Sequence, residues 1–498
     1  MQNHLKMKNH HIIFGLLLFL LSSYQGKAQT PDSLNIDDMS YEQFKKSAMQ
    51  DYDNFRRKAH DEYESFIREE WQRFQCFKSG NDAFLSAKPE AVPAIAEASG
   101  IISVEAPSAD AIPSEESARP TDAIVPMQNS GEESDRISVS FYGCQLEFNL
   151  PKSLRIKAKG TRENQVAQYY HAMSQQNGTK AFLAQLDAQV NRMGLNEWGY
   201  FALLRCISEK TFSDMNDRVL FCFFMMHSEG FRARVGRGQH SGQLKLLIAI
   251  DNSKEIYSMS FFRINGVKYY ALYGGEAGED TYSYGEKADE NGLRQVGLDF
   301  SKTLNMAACN KSRKLALPKT GDTLTLPYCT SHLRYYDEMP MTVFPVYFKT
   351  GLANETQKQL SAYFGGLSQR YNKVQLVDIM LNFVQTAFDY KIDEKQFGRE
   401  KYFFPEEVIG YRYSDCEDRA ALFSWLVRTY AHCETVGVLY PDHLATAVCF
   451  GSQVKIDAAG FDYKGKHYYI CDPTYRNAPI GTVMPKLKGK AYEIIEIR

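Results

Sequence analysis

The sequence predicts a mixed fold of helices and strands, distributed over two or three domains. The chain has 498 residues, which is more than one hydrophobic core usually holds together. Near the C-terminus, apolar residues recur at spacings of three and four from Ala420 to Tyr430, which is typical of an amphipathic helix. Two apolar runs further along, at 443–450 and 468–472, have the length and composition of strands.

Three residues at the ends of these elements form a candidate catalytic set. Cys416 stands just before the apolar helix pattern, where free backbone N–H groups and the helix dipole favour a thiolate. His443 begins the first strand-like run and Asp472 ends the second. A thiol, a base and a carboxylate that orients the base are the parts of an activated nucleophile. The sequence therefore predicts a catalytic site built on a cysteine.

The segments around these residues resemble the transglutaminase-like superfamily. The resemblance rests on the order Cys, His, Asp, on the pattern C-E-D-x-A-x-L at 416–422 and on D-P-T at 472–474. The spacings of 27 and 29 residues between the three positions fit as well, and the similarity covers roughly residues 335–498. It implies a papain-like α+β fold, in which the helix that carries the cysteine packs on an antiparallel sheet, and it implies acyl-enzyme chemistry on amides.

The resemblance also implies a role for each position. Cys416 is expected to be the nucleophile, His443 the general base and Asp472 the carboxylate that orients this base. The backbone N–H of Cys416 is a natural donor to an oxyanion, and Tyr411 and Tyr413 are candidates for the second donor.

Two acidic residues follow the cysteine directly. By themselves, Glu417 and Asp418 would raise the pKa of the Cys416 thiol. The helix N-terminus and a protonated imidazole would have to outweigh these two charges for the thiolate to form.

From these residues we expect a cysteine hydrolase that cleaves peptide or other amide bonds through a thioester acyl-enzyme. A true transglutaminase, which transfers the acyl group to an amine, and a non-catalytic binding or scaffold protein are the alternatives. Protein, peptide and cell-wall amides all stay open as substrates, because the sequence does not locate the specificity loops. The sequence contains neither a glycine-rich phosphate loop nor a paired-cysteine metal motif, so neither a cofactor nor a metal is expected.

The composition and the N-terminus bear on location and partners. With 44% hydrophobic residues and a net charge of −2, the chain gives no reason to expect nucleic acid as a partner. Lysines precede the apolar run 12–21, and small residues stand at −3 and −1 of a cleavage site before Gln29, which is typical of a signal peptide at 1–28. We therefore expect a secreted or periplasmic protein with no integral membrane segment after cleavage. Export permits disulfides, but the ten cysteines do not reveal their connectivity.

An aromatic repeat of eleven residues follows in the segment 29–77. Its two sets of positions are Tyr41, Tyr52, Tyr63 and Phe74, and Phe44, Phe55, Phe66 and Phe77. Eleven residues make three helical turns, so the aromatic residues stay on one stripe of a long helix or a helix pair. The stripe predicts self-association, docking of a partner, or folding back on the globular part. The next segment, 78–136, is rich in Pro, Ala, Ser and Glu and is predicted to be a disordered linker.

The middle region, 137–325, has the pattern of a degenerate copy of the C-terminal domain. The segment 217–221 parallels 418–422 at an offset of 201, and 266–270 parallels 465–469 at an offset of 199. Consistent offsets in separate blocks indicate an internal repeat.

The chemistry of the C-terminal domain, 326–498, does not carry over to the middle region. At the positions of the cysteine, histidine and aspartate, the middle region has Met215, Gln243 and Tyr273. His240 lies three residues from the histidine position and has no nucleophile to serve. We therefore expect a non-catalytic module that packs on the catalytic domain or binds substrate. An unrelated α+β domain is the alternative.

Overall fold

The computed structural model describes residues 86–87 and 133–497, apart from 252, 258, 260, 277–278 and 284–291. Within these residues helices alternate with sheets that are mostly antiparallel, so the predicted α+β class is confirmed. The signal peptide at 1–28 and the aromatic repeat at 29–77 lie outside the described residues, as does most of the linker predicted at 78–136. Among the helices that the structure describes, none combines the length and apolar character needed to cross a lipid bilayer.

The N-terminal half of the described chain contains three early strands, four helices and a sheet. The early strands are β1 (Ser86–Ala87), β2 (Ser134–Phe141) and β3 (Cys144–Pro151). The helices are α1 (Glu163–Ser174), α2 (Thr179–Met193), α3 (Glu197–Thr211) and α4 (Met215–Ser228). The strands that follow are β4 (Ala233–Gly238), β5 (Leu244–Ala249), β6 (Phe261–Ile264), β7 (Val267–Gly274) and β8 (Thr281–Ser283). Strand β1 lies within the linker predicted at 78–136, and strand β2 begins within it.

Helix α4 is the central helix of this half. Its residues from Val219 to Met226 are all apolar, and each is at most 2% exposed. A helix that is hydrophobic on every side must be buried on every side. Helix α4 accordingly packs against strands β4, β5 and β7 as well as against α1 and α3.

The C-terminal half begins with the hairpin of β9 (Lys311–Leu317) and β10 (Asp322–Tyr328). Four helices follow: α5 (Thr330–Glu338), α6 (Phe344–Lys349), α7 (Asn354–Ser368) and α8 (Lys373–Ala387). Short elements come next: β11 (Asp389–Tyr390), α9 (Asp393–Phe397), α10 (Pro405–Gly410) and β12 (Tyr413–Ser414). The last elements are α11 (Cys416–Leu426), β13 (Glu434–Tyr440), β14 (His443–Cys449), β15 (Gly460–Tyr463), β16 (Lys466–Cys471) and β17 (Glu493–Glu496).

The two large sheets have the same order of strands. After α11, the sheet runs β15-β16-β14-β13-β17, and every neighbouring pair is antiparallel. After α4, strands β4 to β8 run β6-β7-β5-β4-β8, again with antiparallel neighbours. In both halves a buried helix precedes a central strand pair, an outer pair, and a last strand that returns to the first strand of the central pair. In the N-terminal half, β1 pairs with the other side of this last strand, so that sheet has six strands.

The hairpin β9–β10 belongs with the C-terminal half. Its residues Leu315, Leu317 and Leu326 lie in one buried core with Leu360 of α7 and Phe423 of α11. Residues 325 and 326, between which we expected a domain boundary, both lie within strand β10.

A second core crosses from one half to the other. It joins buried residues of α4 and β5 with Tyr335 of α5 and Tyr347 of α6, and it includes Ala420 of α11 and Leu444 of β14. The halves therefore share buried apolar surface instead of folding around separate cores. Cys416 packs against this shared core, which places the start of α11 where the two halves meet.

Candidate active site

A buried carboxylate fixes the first turn of α11. The backbone N–H of Asp415 donates to Asp418 Oδ2 at 3.1 Å, and the backbone N–H of Phe403 donates to Asp418 Oδ1 at 2.9 Å. The N–H groups at a helix start lack partners within the helix, and a carboxylate at the third position supplies one. This is the local reason why the C-E-D segment begins a helix with Cys416 as its first residue.

His443 and Asp472 form a buried pair, with His443 Nε2 and Asp472 Oδ2 joined at 2.9 Å. Asp472 Oδ1 accepts hydrogen bonds from the backbone N–H groups of Thr474 at 2.9 Å and Tyr475 at 3.2 Å. The side chain of Gln385 donates to the Asp472 carbonyl at 2.9 Å. The turn after β16 thus holds Asp472, and Asp472 holds the imidazole through Nε2, which leaves Nδ1 for a second partner.

The Cys416 thiol lies beside the start of β14, but it does not bond to the histidine. It donates to Glu417 Oε2 at 3.0 Å, and Cys416 packs against the shared core that includes Leu444, the residue after His443. Both Cys416 and His443 are within the described chain, and no hydrogen bond joins their side chains there. His443 and Asp472 therefore form a hydrogen-bonded pair, and Cys416 lies next to β14, the strand that begins with His443.

The surroundings of the thiol favour its protonated form. Burial raises the pKa of Cys416 well above the usual range for a thiol, and the negative charges of Glu417 and Asp415 raise it further. The N–H of Leu444 acts in the opposite direction and is outweighed. The sequence pointed to Glu417 and Asp418 as the opposing charges. Asp415 acts on the thiol as well, and both Asp418 oxygens accept backbone N–H groups.

Three buried carboxylates beside the thiol form a group that could hold a metal ion. Asp393, Asp415 and Glu417 each offer one oxygen, and these oxygens lie within 4.8 Å of one another. Asp415 Oδ1 is buried and has no hydrogen-bond partner. Burial and mutual repulsion raise the pKa of Asp393 and of Asp415, and burial and Glu417 raise the pKa of Glu400 to about 7. Carboxylate oxygens are ligands for hard divalent cations. No sequence pattern pointed to this group, because Asp393 reaches it only through the fold.

The two tyrosines predicted as oxyanion donors have other surroundings. Tyr411 is 3% exposed, and its ring packs 4.9 Å from that of Phe403 and 5.5 Å from that of Phe397, measured between centroids. The ring of Tyr413 lies 5.1 Å from Lys391 Nζ. Neither hydroxyl has a hydrogen bond to Cys416 in the described structure.

Tyr390 is the tyrosine that the fold brings near the thiol. Strands β11 and β12 are parallel, and Tyr390 pairs with Ser414. Burial raises the pKa of the Tyr390 hydroxyl, and the nearby carboxylates of Asp415 and Glu417 raise it further. The residue is still 51% exposed. A tyrosine 26 residues before the cysteine has no sequence signature, and only the pairing of two short strands reveals it.

The corresponding places in the N-terminal half hold no comparable set. Met215 is the first residue of α4, as Cys416 is of α11. The backbone N–H of Leu244 donates to Asn216 Oδ1 at 2.8 Å. The hydroxyl of Tyr273 lies 3.4 Å from that of Ser208. None of these side chains can supply a thiolate or a base of ordinary strength.

His240 and Gln243 lie in the loop between β4 and β5. The backbone N–H groups of His240 and Ser241 both donate to Glu279 Oε1, and the N–H of Gln243 donates to Ser241 Oγ at 3.1 Å. The loop is thus held by a buried carboxylate through its backbone, and neither predicted position takes part in a nucleophile–base pair.

Comparisons of the chain with protein-family models, with curated proteins and with solved structures find no match. The fold and the site by themselves define an α+β protein with a buried His–Asp pair and a cysteine at the start of a neighbouring helix.

Proposed function

We propose that the protein is a cysteine hydrolase of the transglutaminase-like type, with a papain-like fold in its C-terminal half. It cleaves peptide or other amide bonds through a thioester acyl-enzyme. The observation that carries the proposal is the buried pair of His443 and Asp472, whose strand neighbour Leu444 contacts the thiol at the start of α11. An imidazole held by a carboxylate beside a helix-start cysteine is the arrangement that cysteine-based acyl transfer requires.

The proposed reaction begins when the thiol leaves Glu417 and gives its proton to His443 Nδ1. The sulfur of Cys416 then attacks the amide carbonyl carbon, and His443 returns the proton to the amine nitrogen as the C–N bond breaks. Water, deprotonated by His443, attacks the resulting thioester and releases the acid. The backbone N–H of Cys416 and the hydroxyl of Tyr390 are the proposed donors to the oxyanion.

The proposal extends to the rest of the chain. The N-terminal half is a non-catalytic copy of the same module, supported by the matching strand order and by Met215 in the place of the cysteine. Substrates are protein, peptide or cell-wall amides. The signal peptide at 1–28 makes the protein secreted or periplasmic, and the aromatic stripe at 29–77 mediates self-association or docking of a partner.

A non-catalytic binding protein is the second candidate, and one observation favours it. The Cys416 thiol is hydrogen-bonded to Glu417, and its pKa is raised, so the resting site holds a neutral thiol. In that case the His443–Asp472 pair is a buried structural contact, and no acyl-enzyme forms at any pH.

Trapping of the acyl-enzyme separates these functions. The full chain is incubated with peptide and muropeptide amides between pH 6 and 10. The reaction is quenched in acid, and the mass of the intact protein is measured by mass spectrometry. An adduct in the wild type that is lost in Cys416→Ala and retained in Cys449→Ala supports the hydrolase. Cys449 is a matched control, because it is also a partly exposed cysteine of the same half. An amide product formed with an added primary amine indicates a transglutaminase, and no adduct or product across the series indicates the binding protein.

A further inference from the structure

Two cysteines lie side by side at the base of hairpin β9–β10. The sulfurs of Cys309 and Cys329 lie within 4.8 Å of each other, and the Cys329 thiol donates a hydrogen bond to the carbonyl of Ala307 at 3.4 Å. Cys309 precedes β9 by two residues, and Cys329 directly follows β10. The antiparallel pairing of Lys311 with Tyr328 brings these two ends of the hairpin together.

We propose that Cys309 and Cys329 form a disulfide bond that closes this hairpin. Two sulfurs within 4.8 Å of each other, at the two ends of one hairpin, can reach the bonded distance of about 2.05 Å by rotation of their side chains. The loop that the bond closes spans 20 residues, long enough for closure to remove substantial freedom from the unfolded chain.

A metal ion is the other ligand chemistry that this cluster suggests, since a Glu406 oxygen lies within 4.8 Å of both sulfurs. However, Glu406 Oε1 accepts the N–H of Cys329 at 3.0 Å, and Glu406 Oε2 bonds to Ala353 N at 3.2 Å and His332 Nδ1 at 2.8 Å. The other nitrogen of His332 accepts the N–H of Met306 at 3.2 Å. Zinc and similar ions take about four ligands, and in this cluster both Glu406 oxygens and both His332 nitrogens already have hydrogen-bond partners, so beside the two sulfurs too few ligands remain. The geometry therefore favours the disulfide.

The two thiols differ in access, which sets the order of the oxidation steps. Cys309 is partly exposed, whereas Cys329 is buried, and its pKa is raised by the neighbouring Cys309 thiol and by burial. Cys309 Sγ first attacks a small-molecule disulfide and releases one thiol. Cys329 Sγ then loses its proton to water, attacks Cys309 Sγ and releases the second thiol. Two protein thiols are oxidised and one external disulfide is reduced to two thiols.

The bond acts on the part of the fold that supports the start of α11. Cys329 immediately precedes α5, and its backbone N–H is one of three donors to Glu406. Glu406 lies in the first turn of α10, which leads through β12 to Cys416. A covalent link at Cys329 therefore fixes the position of α10. This consequence does not depend on whether Cys416 is catalytic.

Peptide mapping tests the proposal on the full chain. The protein is incubated with oxidised glutathione, its free thiols are alkylated under denaturing conditions without reductant, and it is digested with trypsin. Cleavage yields peptides 303–311 and 320–334, each with one cysteine. We expect these two peptides to appear linked, to separate on reduction, and to stay linked in Cys206→Ser but not in Cys309→Ser. Cys206 is the matched control, since it is a partly exposed cysteine whose sulfur contacts the carbonyl of Ser140.

Thermal unfolding gives a second readout. Oxidised wild type and oxidised Cys206→Ser should melt about 5 °C above their reduced forms, and Cys309→Ser should show no such difference. Full alkylation of both cysteines after oxidation, glutathione retained on Cys309, or a link from either cysteine to a different one would each overturn the proposal.

Discussion

The Cys416 thiol donates to Glu417 Oε2 at 3.0 Å, so the candidate nucleophile shares its proton with the next residue in the chain. The negative charge of Glu417 raises the pKa of the thiol, after burial, more than any other group does. The start of a helix favours a thiolate. In this molecule burial and the neighbouring carboxylates outweigh that preference.

Neutralising Glu417 should make the thiol easier to ionise. Glu417→Gln removes a negative charge in contact with the sulfur, so the pKa of Cys416 should fall. The rate of iodoacetamide labelling of Cys416, followed by mass spectrometry against pH, should reach its midpoint at correspondingly lower pH. Glu434→Gln is the control, because Glu434, the first residue of β13, is exposed and forms an ion pair with Lys466. An unchanged midpoint in Glu417→Gln would show that burial alone keeps the thiol protonated.

Removal of either the nucleophile or the base should abolish amide turnover. Cys416→Ala and His443→Ala should each lower kcat/KM by about 10⁴-fold or more, because members of a catalytic set act as a unit. His240→Ala is the matched control and should leave the rate unchanged, since the N-terminal half carries no nucleophile at the equivalent place. A loss in His240→Ala as large as that in His443→Ala, with the fold intact by circular dichroism, would mean that the base has been misassigned.

Asp472→Asn should be milder than His443→Ala. An asparagine keeps the size of the side chain and an oxygen for the N–H groups of Thr474 and Tyr475, but it loses the charge that stabilises an imidazolium. We expect a loss of kcat/KM about 10²-fold smaller than that of His443→Ala. Equal losses in the two variants would indicate that Asp472 does more than orient the ring.

The buried carboxylates should make stability fall as pH rises. Burial and the charges of Asp418 and Glu417 raise the pKa of Asp393 above its unfolded value. A carboxyl group whose pKa is higher in the folded than in the unfolded state stabilises the folded state fully below its unfolded pKa, which is near pH 4. This stabilisation is lost as the pH rises through the folded pKa. Asp393→Asn keeps an oxygen for the N–H of Lys401, which Asp393 Oδ2 accepts at 2.8 Å, and removes the charge.

In buffer with a chelator, Asp393→Asn should melt about 3 °C higher than wild type at pH 8. At pH 4 the two proteins should have the same melting temperature. The melting temperature is followed by calorimetry at one-unit steps. A variant that is less stable by the same amount at every pH would show that the hydrogen bond matters more than the charge.

Local sequence patterns determined where the main candidates lie. The spacing of apolar residues after Cys416 predicted that a helix begins there, and α11 begins at that residue. His443 begins β14, and Asp472 follows the last residue of β16, as the apolar runs indicated. Each of these features depends on residues a few positions apart, because helix and strand periods are local properties of the chain.

Only the tertiary structure decided what surrounds the thiol. Tyr390 and Asp393 reach Cys416 and Asp415 through short strands and turns with no periodic pattern. The sulfurs of Cys309 and Cys329 lie within 4.8 Å of each other because a hairpin brings its two ends together. That hairpin contains residues 325 and 326, where we expected a domain boundary, and it packs on α7 and α11. The sequence placed two acidic residues beside the cysteine, but whether their charges or the helix N-terminus prevail depends on burial. Burial is set by contacts between distant parts of the chain, which no local pattern records.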